Sequence, residues 1–317
     1  MTLKVAIVGM RHGHINDLIK RVKERPDTRL VAVCESDGAT RAKLDAAALG
    51  VPIIDSRHRL WSDVECDVVG IGDYYGARGA IAIEALEHGK HVISDKPLCT
   101  SLGELDRIDR LARDRHLCVG LQLDLRDRGS FRAMRTHIRE GAVGEVQAIS
   151  VDGQHPLLYG TRAGWYFEPG KHGGTINDIG IHAIDGIPWI TGLGIAQINC
   201  ARAWNTRLKD APWFKDATHF MLTLTNGGGV LGDMSYLAPD SFGYSLPGYW
   251  RITVWGTNGV IVAGINMPHL MLWQNGAKAE RQITPEPNKN GGYLDAFIRD
   301  INGTSAAGEL DTAAVCA

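Results

Sequence analysis

The sequence predicts an α/β chain in two parts. A doubly wound parallel sheet spans residues 1–123, and an α+β region with a large, mostly antiparallel sheet spans 124–317. Three observations carry this. Up to about residue 122, short apolar runs alternate with helix-like segments, the pattern of parallel strands joined by crossover helices. Beyond about residue 125, strand-like runs follow one another. They are split by Asn226-Gly227-Gly228-Gly229, Thr257-Asn258-Gly259 and Asn275-Gly276, which is hairpin-turn chemistry. The length of 317 residues suits two domains of roughly 100–200 residues each. A complete α/β barrel would not turn into hairpins halfway and is excluded.

In the first part, Leu3–Val8 is continuously apolar, as in a sheet covered on both faces. An amphipathic helix follows at Ile15–Glu24, then strands at Leu30–Cys34 and Val51–Ile54. A helix at Thr40–Leu49 stops at Gly50. Further strands are expected at Asp67–Ile71, His91–Ile93 and Leu117–Leu121, with a helix at Gly79–Glu87. Ser101 and Glu104 fit a capping box for a helix running to about Arg115. In the second part, a helix at Phe131–Glu140 leads into an extended run, Glu145–Gly153. Strands are expected at Ala196–Ala203, His219–Thr225, Val230–Tyr236, Arg251–Trp255, Val260–Ala263, Leu270–Gln274 and Ala279–Ile283. Helices are expected at Thr175–Thr191 and Tyr293–Asn302.

Composition excludes several classes. Lys+Arg 34 against Asp+Glu 36 makes no basic surface for nucleic acid or an anionic membrane. No apolar run approaches the ~20 residues of a membrane span, and the opening strand leaves no room for a signal peptide. The six cysteines form no C-x-x-C pair, so the expectation is a reduced, cytoplasmic protein without a zinc ribbon. Seven of the eight tryptophans lie after residue 150, so the two parts are built differently.

The first strand ends in Val8-Gly9-Met10-Arg11-His12-Gly13-His14 before a helix, which is where a doubly wound fold binds pyrophosphate. Gly9 fits the G-x-G-x-x-G spacing. Arg11 and His14 occupy the other two glycine slots, and Gly13 comes one place early. Gly9, Met10, Arg11 and His12 are the candidate cofactor contacts in this turn. Glu35, just past the second strand, is placed to accept both ribose hydroxyls of NAD and to repel a 2′-phosphate; Asp37 competes for that role. NAD is therefore expected over NADP.

Two segments point to chemistry. In Asp95-Lys96-Pro97 a lysine directly follows the fifth strand, at the carboxyl edge where open sheets bind ligands. Its charge would help a substrate hydroxyl lose a proton. In the second segment, Gly173 through Asp185, Asp178 and His182 are four apart on one helix face, a carboxylate beside a candidate general base. No metal-ligand spacing is present, so no metal is expected.

These residues resemble the glucose–fructose oxidoreductase / inositol dehydrogenase (Gfo/Idh/MocA) family over nearly the whole chain. Asp95-Lys96-Pro97 resembles its E-K-P segment, Gly174 through His182 its G-G-x-x-x-D-x-G-x-H segment, and Ala85 through Val92 its A-L-x-x-G-K-H-V run. The resemblance implies a Rossmann domain followed by a domain with an open sheet, assembled as a homodimer or homotetramer through that sheet. It implies NAD(P)-dependent oxidation of a secondary alcohol on a sugar, polyol or related small molecule. Lys96, Asp178 and His182 become the catalytic trio, with His182 taking the hydroxyl proton, Lys96 binding the same oxygen and Asp178 binding substrate and fixing the histidine. Two other readings stand beside it. One is a redox-neutral NAD-dependent glycosidase or lyase of the same family; the other is a non-catalytic cofactor sensor.

The chain departs from the pattern in three places. The glycine turn is compressed. Asp73, Tyr74 and Arg78 replace the Thr, Pro and His of a T-P-x-x-x-H loop that edges the cofactor, so Asp73 and Tyr74 join the candidate cofactor contacts, as do Lys96 and Pro97 after the fifth strand. Members of the family usually continue past the alanine-rich segment near Leu310, so a shortened C-terminus is expected. Substrate contacts are expected from Gln122, Asp124, His155, Tyr159, Trp165, Tyr166 and His172, since aromatic faces suit sugar C–H groups and imidazoles suit hydroxyls.

Overall fold

The computed structural model describes residues 2–317, which form two compact units. The first comprises the residues up to Leu123 with 170–172 and 291–317; the second comprises 124–169 and 173–290.

The sheet of the first unit holds β1 (Leu3–Val8), β2 (Thr28–Cys34), β3 (Ile53–Ile54), β4 (Val68–Ile71), β5 (His91–Asp95) and β6 (Val119–Gln122). All pairs are parallel, in the order β3-β2-β1-β4-β5-β6. The strand order reverses between β1 and β4, which sets the ligand crevice of a doubly wound sheet at their carboxyl ends. The sheet of the second unit holds β7 (Val146–Pro156), β8 (Ile195–Trp204), β9 (Ala217–Leu224), β10 (Gly229–Ala238), β11 (Arg251–Gly256), β12 (Gly259–Gly264), β13 (Leu270–Gln274) and β14 (Arg281–Ile283). Its order is β14-β13-β12-β11-β7-β10-β9-β8, antiparallel except for β7 with β10.

The helices are α1 (Ile15–Glu24), α2 (Gly38–Arg41), α3 (Ala46–Leu49), α4 (Arg57–Asp63), α5 (Tyr75–Glu87), α6 (Leu102–Arg115), α7 (Gly129–Arg139), α8 (Ile181–Thr191), α9 (Gly292–Ile301) and α10 (Thr312–Cys316). In α1 the buried residues Ile15, Leu18, Ile19 and Val22 follow the i, i+3, i+4, i+7 rule, so one stripe of the helix covers the sheet. In the second unit one core joins α7 and α8, through Phe131, Met134, Ile187 and Ile190, to the inner face of the sheet. Burial alternates along β9 and β10, and the outer face carries exposed Ile198, Met221, Leu231, Trp255 and Trp273. No described helix is long and apolar enough to cross a membrane.

Four expectations are revised. The helix expected over Thr40–Leu49 breaks into α2 and α3, because the Asp45 side chain accepts from Ala47 and Ala48 N–H and starts a new helix. Ser101 is the N-cap of α6 but makes no side-chain cap bond, so there is no capping box. Glu104 instead lies over Gly79 of α5. The sequence pattern does not announce helix α4, because Leu60 and Trp61 are too few apolar positions to show a period, whereas α10 lies at the alanine-rich segment near Leu310. Finally, residues 291–317 belong with the first unit rather than the second. The α9 stripe Tyr293, Leu294, Phe297 and Ile298 packs into the core of Val5, Ile7 and Ile15. Tyr293 also donates to Asp17 at 2.7 Å, and Arg25 pairs with Asp295. An apolar helical stripe says that a sheet is covered without saying which one.

Candidate active site

In the first unit the turn after β1 is built around Gly9, whose φ of +80° places it in the left-handed region, and whose added Cβ would come within 2.5 Å of the Asp73 side chain. Three N–H groups of this turn are engaged within the protein. Gly9 donates to Cys34 O at 2.9 Å, Met10 to Glu35 Oε2 at 2.7 Å and His12 to Gly72 O at 3.0 Å. The N–H groups of Gly13 and His14, directly ahead of α1, meet no acceptor among the described residues. They are the orphan donors of a helix start and lie just beyond the four turn residues, 9–12, that the glycine spacing singles out.

Glu35 is fully buried at the end of β2, accepts from both Met10 and Asp37 N–H, and is pushed up from the ordinary carboxylate range by burial. Asp37 is engaged as the N-cap of α2, accepting from Thr40 N and Oγ1 at 2.8 and 2.7 Å. Arg11 lies among acids, its Nε 3.4 Å from Asp73 and 3.9 Å from Glu35, with its guanidinium 5.1 Å from the Tyr74 ring centre. Asp73 is buried and accepts from Tyr74 N–H at 2.7 Å.

Lys96 is 3% exposed, and the Lys96-Pro97 bond is cis. The loop that carries it is held by Arg78, itself fully buried. Arg78 donates to Asp73 O at 2.7 Å, to the carbonyls of Asp95, Lys96 and Pro97, and to Asp95 Oδ2 at 2.9 Å. One guanidinium thus ties the loop after β4 to the loop after β5. The same Asp95 oxygen bonds His12 Nδ1, and His14 Nδ1 lies 3.4 Å from the other oxygen. Burial pushes His12 down to about 4 against the pull of Asp95, so it is neutral at pH 7. Burial opposes the Asp95 charge, but Arg78 and His12 prevail and hold that carboxyl well below its usual range. The ligand atoms of His12, His14 and Asp95 lie within 4.8 Å of one another, a metal-like grouping that spacing did not reveal. The Arg78 cation already sits on the same carboxylate, however, and would repel a divalent ion there.

Tyr75 joins this network, its hydroxyl 3.3 Å from His12 Nε2 and its ring centre 5.9 Å from Lys96 Nζ. His172, on the short segment that belongs to this unit, is buried with its ring 5.3 Å from Tyr75. Gln122 uses its amide N–H groups on His14 O and the Tyr293 hydroxyl, at 3.2 and 3.1 Å.

In the second unit the helix expected over Thr175–Thr191 opens as a π-helical turn, Ile176–Gly180, before α8. Such turns commonly mark functional segments. Gly174, at φ +92°, makes the entry. Asp178 and His182 are 4% and 6% exposed. Tyr236, on β10, donates its hydroxyl to Asp178 Oδ2, and the His182 ring stands edge-on to Trp250 at 5.2 Å. Arg126 grips Asp185 through Nε at 3.0 and 3.1 Å, which anchors α8 beside the turn at Asp124–Asp127. His155, at the end of β7, is buried among Tyr236, Tyr244, Tyr249 and Trp250 at ring distances of 5.0–6.1 Å. Burial pushes the Tyr249 hydroxyl up to about 12.

Trp165 and Tyr166 are buried with their rings tilted to one another at 4.2 Å, whereas Tyr159 is exposed with its ring edge on Phe167. Asp124 pairs with Arg128 at 2.7 Å. The candidate trio thus divides between the units, Lys96 in the first and Asp178 and His182 in the second. The sequence pattern does not point to Tyr75, Tyr236 or Tyr244, and it marks Arg78 only as a departure from the family's histidine.

Residues 3–123 match the model of the oxidoreductase family with an NAD-binding Rossmann fold, and residues 131–262 match the GFO/IDH/MocA C-terminal domain. An uncharacterised oxidoreductase of Synechocystis sp. is 24% identical over 277 residues, 83% of this chain and 71% of that protein. The 1,5-anhydro-D-fructose reductase of Ensifer adhaerens is 30% identical over 139 residues, 43% of this chain and 41% of that enzyme. The chain therefore aligns with under half of the latter's length. An oxidoreductase from Agrobacterium radiobacter, solved with NAD+, L-tartaric acid and magnesium, has the same fold, with a TM-score of 0.80 at 19% identity, covering 100% of this chain and 93% of that one.

Proposed function

This chain belongs to the GFO/IDH/MocA family of NAD-binding oxidoreductases, and on that premise we propose that it transfers a hydride between NAD and a secondary alcohol of a sugar, polyol or related small molecule. The observation that carries the reading is the buried Asp178–Tyr236 bond beside His182, which presents a fixed carboxylate and an imidazole on successive turns.

The first unit fits the cofactor at its phosphates: the open N–H groups of Gly13 and His14 suit a pyrophosphate, whereas Glu35, fully buried with each carboxylate oxygen taken by a backbone N–H, offers ribose hydroxyls no open face and disfavours a 2′-phosphate only by its charge. NAD, when bound, supplies the hydride acceptor. His182 takes the hydroxyl proton as the alcohol is oxidised, and returns it in the reverse direction. Lys96, in the first unit, is the cation that the family resemblance assigns to stabilising negative charge on the substrate oxygen. Asp178, held by Tyr236, binds a neighbouring hydroxyl and sets the orientation of the imidazole.

The test is turnover of a sugar and polyol panel with NAD and NADP, followed by NADH absorbance. His182→Ala and Lys96→Ala are each expected to lose at least about a hundredfold in kcat while still binding NAD by calorimetry. Full turnover in either variant overturns the mechanism. Glycoside cleavage without net NADH would replace it with the redox-neutral reading, and absence of both NAD binding and turnover would replace it with the sensor reading.

The open outer face of the second sheet supports a homodimer or homotetramer, and six free cysteines support a reducing, cytoplasmic setting.

A further inference from the structure

Within the second unit, one cation stands beside the Asp178 site with part of its donor capacity open. Arg162 lies on the loop after β7 and is half-buried. Three of its five N–H groups are engaged: Nε donates to Leu157 O at 2.7 Å, and Nη2 donates to Pro156 O at 2.9 Å and to the Tyr244 hydroxyl at 3.1 Å. Nη1, which carries the other two, donates to nothing among the described residues, and the same is true of the hydroxyl hydrogen of Tyr244. The guanidinium therefore cannot swing away, since two backbone carbonyls fix its plane. It still keeps Nη1 without an acceptor, and its Nη2 donates to a hydroxyl that has its own proton to give.

The surroundings aim this pair at the substrate position. The guanidinium carbon lies 5.1 Å from the ring centre of Tyr236, the residue that bonds Asp178, and 5.0 Å from that of Tyr166. Tyr244 is edge-on to His155 at 5.6 Å. Burial works against the charge, but Tyr244, Tyr166 and Asp178 together outweigh it and keep Arg162 a cation. A neutral polyol has no need of a fixed cation. A carboxylate does, and a fork of guanidinium N–H with tyrosine O–H matches its two oxygens.

We propose that Arg162 and Tyr244 form a carboxylate subsite, so that the substrate is a sugar acid, a uronate or aldonate, rather than a neutral sugar. The inference rests on the hydride-transfer reading above. An anionic substrate would receive two charge-assisted bonds from groups that are already held in place, so little ordering is lost on binding.

The experiment compares D-glucuronate, D-galacturonate and D-gluconate with D-glucose, D-galactose and sorbitol on the NAD-loaded protein, by turnover and by calorimetry. The acids are expected to show at least about tenfold higher kcat/KM, or tenfold tighter binding, than their neutral counterparts. In Arg162→Gln that ratio is expected to fall to about one, and in Tyr244→Phe, which keeps the cation and its backbone anchors, to fall about threefold. Equal or better use of the neutral sugars by the wild type, or an unchanged ratio in both variants, overturns the subsite. Because calorimetry reads binding without chemistry, selective acid binding without turnover would sustain the subsite while removing the dehydrogenase reading. Turnover of neutral sugars alone would do the reverse.

Discussion

The two units use their buried charges in opposite ways. In the first, Arg78, Asp95 and His12 are directed at one another and at backbone carbonyls, and the result is a rigid platform under Lys96. In the second, Asp178 and Arg162 are each held by a tyrosine hydroxyl, and Arg162 keeps donors open. Polar groups that satisfy each other cost much to disturb and recognise little; a guanidinium such as that of Arg162, held in place but not fully used, costs less to disturb and can recognise a ligand.

The largest effect should therefore come from Arg78. Arg78→Met leaves Asp95 charged and buried without its cation, which should cost about 3–5 kcal/mol of stability. Urea unfolding reads this directly. The double change Arg78→Met with Asp95→Asn should recover part of the loss, because it removes the stranded charge. Arg162→Gln, on the half-buried side of the comparison, should cost no more than about 1.5 kcal/mol. Equal costs would break the contrast.

Acid should expose the same platform next. The pKa of His12 is near 4 in the folded chain and about 6.5 unfolded. Between those values the unfolded state binds the extra proton, so stability falls as pH drops from 6.5 to 4, by about 3 kcal/mol in all. Asp95 behaves as a depressed carboxylate: its contribution is present above pH 3.8 and is lost below it. Urea midpoints from pH 7 to 4 should show the slope, and His12→Phe should flatten it. A slope unchanged in that variant would assign the acid lability elsewhere.

Tyr236→Phe should have a smaller effect. It removes one hydrogen bond to a buried carboxylate, worth about 1–3 kcal/mol, and should shift the pH profile of kcat because the Asp178 carboxylate loses a donor that stabilises its charge. A loss of stability with an unmoved profile would make Tyr236 a packing residue only.

What the sequence made legible follows the distance over which each signal acts. The parallel sheet, Gly9, Lys96 and the Asp178–His182 spacing depend on neighbours within a few residues, and each lies on the element expected for it. The Tyr236–Asp178 bond joins residues 58 apart, and Arg162 meets Tyr244 across 82. Both pairings depend on β10 lying parallel to β7, which no local pattern announces. His12 was legible as a turn residue, but its engagement with Asp95 needed the spatial adjacency of β1 and β5 loops. Arg78 did leave a trace, as the residue standing where the family carries a histidine. Tyr244 and Tyr249 left none, and Trp250 is a core residue of the second unit.

The tryptophan bias resolves along the same line, and it yields the smallest expected effect on folding. Trp165 and Trp250 are buried in the second unit, the latter against His155 and His182, whereas Trp255 and Trp273 are 40% and 43% exposed on the outer sheet face with Ile198 and Leu231. Exposed apolar residues grouped on one face can mark an interaction surface. Leu231→Glu changes an exposed residue and should alter the stability of one subunit by no more than about 0.5 kcal/mol. If the face is an interface between copies, the same change places a charge at its apolar centre on both partners. Light scattering should then report a dimer or tetramer for the wild type and a monomer for the variant, with the circular dichroism spectrum unchanged. A wild-type monomer, or an assembly indifferent to Leu231→Glu, would leave the outer tryptophans without this role and return the oligomer to some other surface.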